Sequence, residues 1–188
     1  AARTPDLLAF RFLDDGLERE STLTYAELGA KARAIAATLQ ERGARGERAL
    51  LLYPPGSAYV AAFFGCLLAG VVAVPAYPPK PQTMPRLLGV IADSGARFGL
   101  TTGDIVGLIA ASHAGHDGRL AWIATDALDP GAASAWEQPR VSLDDLAFLQ
   151  YTSGSTGSPK GVMLSHANLM RNEAIIAERF EHHLGSAG

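Results

Sequence analysis

The stretch Ala58–Tyr77 limits the possible folds more than any other part of the chain. It contains no charged residue and is long enough to span a bilayer, so it must lie either in a membrane or in a protein core. Gly70 and Pro75 divide it, and valines dominate its second half. A buried helix that ends at Gly70, followed by a buried parallel strand, explains both halves. We therefore predict two adjacent core elements rather than a membrane span.

Short apolar runs alternate with helical patterns along most of the chain. The runs predict strands at Ala9–Leu13, Ala49–Tyr53, Val71–Val74, Phe98–Thr101, Leu120–Ala124 and Leu146–Gln150. The connections between them are too long for hairpins, which argues for parallel pairing. The sequence thus predicts an α/β fold, with a layered, mostly parallel sheet and helices on both faces.

Capping signals mark the ends of several predicted helices. Thr24 and Glu27 have the spacing of a capping box, and Gly43 ends the helix that they begin. Ser57 can cap the second helix and Ser165 the last one. Further helices are expected over Asp104–Ser112 and in the segment that ends near Gly95, whereas residues 126–141 are expected to form a polar loop.

Composition excludes several classes of protein. Hydrophobic residues make up 48% and charged residues 19% of the 188 residues, which suits one globular unit and excludes disorder. A net charge of -3 gives no reason to expect binding to nucleic acid or to anionic membranes. The single cysteine, Cys66, cannot form an internal disulfide, and no signal peptide is seen, so a cytoplasmic location is expected.

The segment Tyr151–Gly161, with the sequence YTSGSTGSPKG, carries the chemistry that stands out most in this chain. It lies between the apolar runs Leu146–Leu149 and Val162–Leu164, which predict two buried strands. Glycines allow several backbone N–H groups to converge on one anion, and hydroxyls add donors or bind a metal. Lys160 supplies a positive charge in a chain with few lysines. The segment is typical of a polyphosphate-binding loop.

Two other interpretations of this segment compete with a phosphate-binding loop. A Gly/Ser-rich run is often a flexible linker, but Tyr151 and Pro159 stiffen this one and apolar runs border it. The P-loop of NTPases has the pattern G-x-x-x-x-G-K-[ST]. Here Gly154 and Gly157 lie too close together, and Gly161 follows the lysine, so the P-loop is rejected.

At these residues the chain resembles the adenylate-forming superfamily, which includes acyl-CoA synthetases, luciferases and nonribosomal-peptide adenylation domains. The motif Y-T-S-G-S-T-G-x-P-K-G-V resembles its pyrophosphate-binding loop, and Leu23–Leu28 and Ala69–Pro75 resemble two of its earlier motifs. Ala76–Pro79 and Val162–Leu169 are most similar to one branch, the fatty acyl-AMP ligases. The resemblance covers nearly the whole chain but about the first third of the family's length.

The resemblance implies a role for each polar residue of the loop. We predict that Lys160 and Thr156 are catalytic and that Thr152 is a ligand of Mg²⁺. The predicted nucleotide-binding residues are Thr152, Ser153, Gly154, Ser155, Thr156, Gly157 and Lys160. The implied cofactors are ATP and Mg²⁺.

The implied reaction is activation of a fatty acid by ATP to an acyl-adenylate, with release of pyrophosphate. The acyl group would pass to an acyl carrier protein, often at the start of polyketide or nonribosomal lipopeptide synthesis. Residues 1–188 are expected to form a partial N-terminal adenylation domain without a complete second domain, because the later adenine-binding motif and the C-terminal catalytic lysine are not found. The fragment is therefore expected to be inactive alone.

Two other functions are compatible with the motif, and several polar residues outside it are further candidates for a site. An acyl-CoA synthetase shares the loop, and an inactive relative that only binds nucleotide would also retain it. His113 and His116 have spacing that could suit a metal, but no third ligand lies near them. Asp144 and Asp145 are expected in a turn, and His166 is given a local role at the start of a helix.

Overall fold

The structure is a computed structural model that describes residues 4–13, 20–78, 81–111, 120–152 and 159–180. Strands and helices alternate through most of these residues. The strands are β1 (Leu8–Leu13), β2 (Glu20–Thr24), β3 (Arg48–Leu52), β4 (Val72–Ala76), β5 (Phe98–Thr101), β6 (Ala121–Ala124), β7 (Leu146–Thr152) and β8 (Lys160–Ser165). The helices are α1 (Tyr25–Glu41), α2 (Ser57–Ala69), α3 (Met84–Ser94), α4 (Gly103–Ala111) and α5 (His166–Arg179).

The main sheet has six strands in the order β6-β5-β3-β4-β7-β8, and β1 and β2 form a separate antiparallel pair. Neighbouring strands from β6 to β7 are parallel, which confirms the predicted α/β fold with a mostly parallel sheet. The last pair differs, because β7 and β8 are antiparallel. Residues 153–159 that join them are too few for a parallel crossover, which needs a dozen or more residues. The antiparallel edge agrees with a sheet predicted to be mostly parallel, whereas the parallel pairing expected for the first strand is wrong, because β1 pairs antiparallel with β2.

Alternate residues of the central strands face two separate cores, as expected for a sheet with helices on both faces. Ala49 and Leu51 of β3 pack with α1 and α2 on one face of the sheet. Leu50 and Leu52 pack on the opposite face, where α3 and α4 lie. All four of these β3 residues are fully buried. This pattern of burial accounts for the continuous apolar sequence of β3.

The uncharged stretch divides as predicted, into helix α2 and strand β4 on either side of Gly70. Gly70 has a φ of 69° and ends α2 in the left-handed conformation that glycine adopts readily. The predicted cap by Ser57 is wrong, because the N-cap is Gly56 and no side chain caps α2. Gly56 has a φ of 154°, so the turn after the two prolines begins the helix one residue earlier. Among the described residues, no helix has both the length and the apolar character needed to cross a bilayer.

Helices α1 and α2 pack so closely that a glycine is required between them. A Cβ on Gly65 would lie 2.7 Å from Cγ2 of Ile35. The segment before β7, which was predicted to be a loop, forms short 3-10 turns at Thr125–Ala127 and Pro130–Ala135 and packs against α1. The indole N–H of Trp136 donates to the carbonyl of Leu68 at 2.9 Å. This contact ties the polar segment to α2.

The capping box of α1 is confirmed. The N–H of Glu27 donates to Oγ1 of Thr24 at 3.2 Å, and the N–H of Thr24 donates to Oε2 of Glu27 at 2.8 Å. The Glu27 carboxylate accepts from the backbone N–H and from the hydroxyl of Thr24, and both hydrogen bonds lower the pKa of Glu27, the backbone N–H having the largest effect. Ser165 caps α5 as predicted, and Asn168 completes a second capping box there.

Candidate active site

The two described residues of the predicted nucleotide site lie side by side. Thr152 ends β7 and Lys160 begins β8, and they are directly paired across the hairpin. Both are exposed, and neither side chain bonds to another described residue. Thr152 therefore belongs to the strand rather than to the loop that follows. Because β7 runs parallel to β4, the pair lies at the carboxyl end of the parallel strands, where ligands bind in open α/β sheets.

The rest of the predicted site lies outside the described residues. This group comprises the other hydroxyl and glycine residues of the motif, Ser153, Gly154, Ser155, Thr156 and Gly157. The structure thus places Thr152 and Lys160 together. The roles of all the predicted site residues stay predictions.

Helix α3 contacts the first strand of the hairpin through Tyr151. The hydroxyl of Tyr151 donates to Oδ2 of Asp93 at 2.6 Å. Partial burial, and then the hydrogen bond to the Asp93 carboxylate and its charge, raise the pKa of Tyr151. The hydroxyl therefore stays protonated as a donor at neutral pH. No sequence pattern indicates this contact, because Asp93 lies 58 positions earlier in an exposed part of a helix.

The same helix contacts the second strand through glycine. A Cβ built on Gly89 would lie 3.2 Å from Cγ of Pro159, the residue before Lys160. The ring of Tyr151 also lies over β8, since a Cβ on Gly161 would lie 3.0 Å from its Cζ atom. Small residues at 89 and 161 therefore let α3, the tyrosine ring and the proline approach one another.

A cavity of about 300 Å³ lies beside the hairpin, at the carboxyl ends of β3, β4 and β7. Its lining is largely aromatic and proline-rich and carries no charge. The lining residues are Tyr53, Pro54, Pro55, Tyr59, Pro75, Ala76, Tyr77, Gln150 and Tyr151. The cavity and the Thr152–Lys160 pair thus lie at one edge of the sheet.

Hydrogen bonds made by hydroxyl groups join the carboxyl ends of three neighbouring strands. The hydroxyl of Tyr53 lies 2.7 Å from Oγ1 of Thr125, which donates to the carbonyl of Thr101 at 3.2 Å. Since Thr125 donates onward, Tyr53 is the donor in the first of these bonds. Burial raises the pKa of Tyr53, so its hydroxyl remains neutral. These groups connect β3, β5 and the end of β6.

The remaining candidates have structural roles or lie outside the described residues. Oδ2 of Asp145 accepts from the N–H of Ser142 at 2.9 Å, and its carbonyl accepts from the N–H of His166. The turn predicted for Asp144 and Asp145 is thus present. His113 and His116 lie outside the described residues. Within the described part of the chain, no group of three or more His, Cys, Asp or Glu residues could hold a metal.

A mostly parallel sheet with a lysine and a hydroxyl at the carboxyl edge defines an α/β protein of the kind that binds ligands at that edge. Residues 1–186 match the AMP-binding enzyme family, and the chain belongs to that family. The predicted resemblance to fatty acyl-AMP ligases is confirmed by the relatives found.

One relative is the medium-chain-fatty-acid–[acyl-carrier-protein] ligase JamA of Moorena producens, 45% identical over 177 residues, or 90% of this chain. Another is the long-chain-fatty-acid–AMP ligase FadD32 of Mycobacterium marinum, 37% identical over 193 residues, or 97% of this chain. In each case the match covers 30% of the relative's length.

A solved structure of a fatty acyl-adenylate ligase also matches the fold of this chain. The fatty acyl-adenylate ligase of L. pneumophila, in complex with acyl adenylate and pyrophosphate, matches with a TM-score of 0.87 and 38% identity. The match covers 96% of this chain and 31% of that one. In these three matches the chain therefore spans less than a third of the relative's length.

Proposed function

We propose that the chain is part of a fatty acyl-AMP ligase, in which residues 1–188 form a partial N-terminal adenylation domain. A fatty carboxylate oxygen attacks the α-phosphorus of ATP, forming the acyl-adenylate and breaking the bond to pyrophosphate. The observation that carries this proposal is the exposed Thr152–Lys160 pair, which borders the phosphate-loop motif at the carboxyl edge of the sheet.

The residues at the hairpin stabilise the departing pyrophosphate. Lys160 and the N–H and hydroxyl groups of the motif, including Thr156, place positive charge and donors where negative charge develops. Of the predicted site residues, the structure describes Thr152, which is exposed at the end of β7, and Lys160, which is exposed at the start of β8.

Mg²⁺ fits the donors at this edge. The described residues contain no cluster of acidic or histidine side chains, and Thr152 offers one hydroxyl oxygen. Mg²⁺ is commonly bound by few protein oxygens together with substrate phosphates and water, so one hydroxyl suits it. When bound, the ion would neutralise charge on the phosphates. ATP and Mg²⁺ are therefore the proposed cofactors.

The proposed partners are a fatty acid and an acyl carrier protein, the latter as part of a polyketide or nonribosomal peptide synthase. The name of JamA, as an acyl-carrier-protein ligase, supports the carrier protein as acceptor. The net charge of -3 gives no support for nucleic acid as a partner. A cytoplasmic location is proposed from the single, buried cysteine.

Adenylation by the full-length polypeptide that carries these residues tests the proposal. We expect ATP–pyrophosphate exchange that depends on fatty acid, and acyl transfer to a carrier protein rather than to CoA. Lys160→Ala should lower kcat/KM for ATP by about 10- to 150-fold, as for loss of a charge-assisted hydrogen bond. Lys31→Ala, which removes an exposed lysine from α1, is the matched control.

Three results would contradict parts of this proposal. An absence of exchange would favour a relative that only binds nucleotide, and efficient formation of acyl-CoA would favour an acyl-CoA synthetase. An unchanged kcat/KM in Lys160→Ala would remove Lys160 from the site.

We also propose that residues 1–188 alone form no acyl-AMP. An adenylating site must hold triphosphate, adenosine and carboxylate together, and this chain carries candidates for the first of these only. The exposed Val162 and Met163 of the edge strand β8 support the view that the domain is partial. Incubation of the purified fragment with labelled ATP, Mg²⁺ and a fatty acid tests this. Turnover that is lost in Lys160→Ala would show a complete site within these residues.

A further inference from the structure

We propose that helix α3 positions the candidate nucleotide site, with Asp93 and Gly89 fixing the place of Thr152 and Lys160. The inference rests on the proposed function. In this proposal both α3 residues are positioning residues. They act through Tyr151 and Pro159, which directly precede Thr152 and Lys160 in the chain.

The first contact fixes the end of β7 and extends to β8. The hydroxyl of Tyr151 donates to Asp93 at 2.6 Å, which holds the ring in one orientation. Tyr151 is paired with Gly161 across the hairpin, and its ring lies against that glycine. One side chain, anchored on α3, therefore contacts both strands next to the residues of the candidate site.

The second contact fixes the start of β8. Cγ and Cδ of Pro159 lie 3.2 and 3.4 Å from the position that a Cβ of Gly89 would occupy. Glycine at this place allows the proline to rest against the helix backbone. A methyl group would have to push Pro159, and Lys160 with it, by a few tenths of an ångström.

The hairpin depends on these contacts because few backbone pairs join its tip to the parallel part of the sheet. One register pair, Ala73 with Phe148, joins β7 to β4, and Pro75 further along β4 has no N–H to donate. On its other side β7 is paired as far as Thr152 with β8, which is the edge strand of the sheet. Helix α3 contacts both sides of this tip, through Asp93 to Tyr151 and through Gly89 to Pro159.

The first experiment compares two Gly→Ala substitutions in helix interiors of the full-length protein. Gly107 in α4 has no atom within 4 Å of a built Cβ, so Gly107→Ala changes helix propensity alone. Gly89→Ala changes propensity in the same way and also displaces Pro159. We expect an ATP KM raised about three- to tenfold in Gly89→Ala and unchanged in Gly107→Ala. Equal KM values in the two variants would overturn the inference.

The second experiment is a double-mutant cycle on the hydrogen bond. Tyr151→Phe keeps the ring on Gly161 and removes the donor, whereas Asp93→Ala removes the acceptor. Since both break the same bond, each should raise the ATP KM about three- to tenfold, and the double variant should be no worse than either. Asp93→Asn retains an acceptor oxygen and should restore most of the affinity. Additive effects, or an Asn variant as impaired as the Ala variant, would contradict positioning through this bond.

The controls separate failure of this inference from failure of the proposed function. Absence of fatty-acid-dependent exchange in the wild-type protein would overturn both. Exchange that is lost in Lys160→Ala, but kept with a normal ATP KM in the Gly89 and Asp93 variants, would overturn the inference alone. The melting temperature of Gly89→Ala should stay close to that of Gly107→Ala, and those of the Asp93 and Tyr151 variants close to that of the wild-type protein. A merely structural role would instead lower the melting temperatures without raising the ATP KM.

Discussion

Two regions of the molecule are built in opposite ways. The closed layer, formed by α1 and α2 on strands β3 and β4, has a buried core in which Ala49, Leu51 and Ala73 are 0% exposed. The hairpin edge, formed by β7, β8 and α5, leaves Val162 50% and Met163 69% exposed. Helix α1 has seven buried residues, whereas α5 has none. Fold stability and candidate function are therefore concentrated in different places.

This separation has a physical reason. Burial of apolar side chains stabilises the fold in proportion to the area removed from water, so the closed layer contributes most of that stability. The candidate phosphate-binding residues Lys160 and Thr152 are instead exposed, which leaves their charge and hydroxyl accessible to a ligand. Substitutions in the closed layer should therefore change stability, and those at the hairpin edge should change activity.

The strongest test of the closed layer is Gly65→Ala. The new Cβ would lie 2.7 Å from Cγ2 and 2.8 Å from Cβ of Ile35, so α1 and α2 must move apart. Overpacking of this kind costs about 1–3 kcal/mol, more than the gain of up to about 1 kcal/mol from replacing a helical glycine. Urea unfolding should show lower stability for Gly65→Ala and unchanged or higher stability for Gly107→Ala. If the free energy of unfolding rose in both variants, α1 and α2 would not be tightly packed at Gly65.

Alkaline pH should also weaken the closed layer. Burial raises the pKa of Cys66 from 9.0 to about 12, and burial raises the pKa of Tyr53 as well. Because the unfolded chain releases these protons first, their contribution to stability is complete below pH 9 and is lost as the pH rises. For Cys66 the loss between pH 8 and pH 10.5 is about 2 kcal/mol.

Unfolding midpoints measured over this range check the alkaline prediction. Cys66→Ala should flatten the dependence of stability on pH, whatever its effect at pH 8. Tyr151→Phe at the hairpin edge should flatten it much less, because that tyrosine is half-buried and solvent screens its interactions. If both substitutions flattened the pH dependence of the unfolding midpoint equally, the hairpin edge would contribute to alkaline stability as much as the closed layer does.

Sequence reasoning predicted the closed layer well and the hairpin edge only in part. The alternation of apolar runs, the division at Gly70 and the capping box at Thr24 are local signals, and the structure confirms each of them. Local patterns also placed the candidate site directly after β7. The predicted burial of the second strand is wrong, because Val162 and Met163 are exposed.

The features that were missed depend on contacts between distant parts of the chain. The hydrogen bond from Tyr151 to Asp93 and the contact of Pro159 with Gly89 join segments that no periodic pattern relates. The antiparallel pairing of β8 follows from the short connection to β7, and no direction of pairing was predicted for this strand. The N-cap of α2 was predicted wrongly, because the residues around Gly56 give no signal of its unusual φ.

The smallest expected effects come from the two capping boxes, which have the same design in the two regions. Thr24→Ala removes the cap of α1, and Ser165→Ala removes the cap of α5. Loss of an N-cap costs about 1 kcal/mol of helix stability. Since α1 contributes to the main core, Thr24→Ala should lower the global unfolding free energy by that amount. Helix α5 buries no residue, so Ser165→Ala should act by local opening of its first turn.

Hydrogen exchange distinguishes these two outcomes. In Ser165→Ala, we expect faster exchange at the first amides of α5, with amides of β3 unchanged. In Thr24→Ala, amides of α1 and of β3 should all exchange faster, because the slowest of them open only when the core unfolds. If Ser165→Ala accelerated exchange in β3 as much as Thr24→Ala does, α5 would be part of the same cooperative unit, and the hairpin edge would contribute to global stability after all.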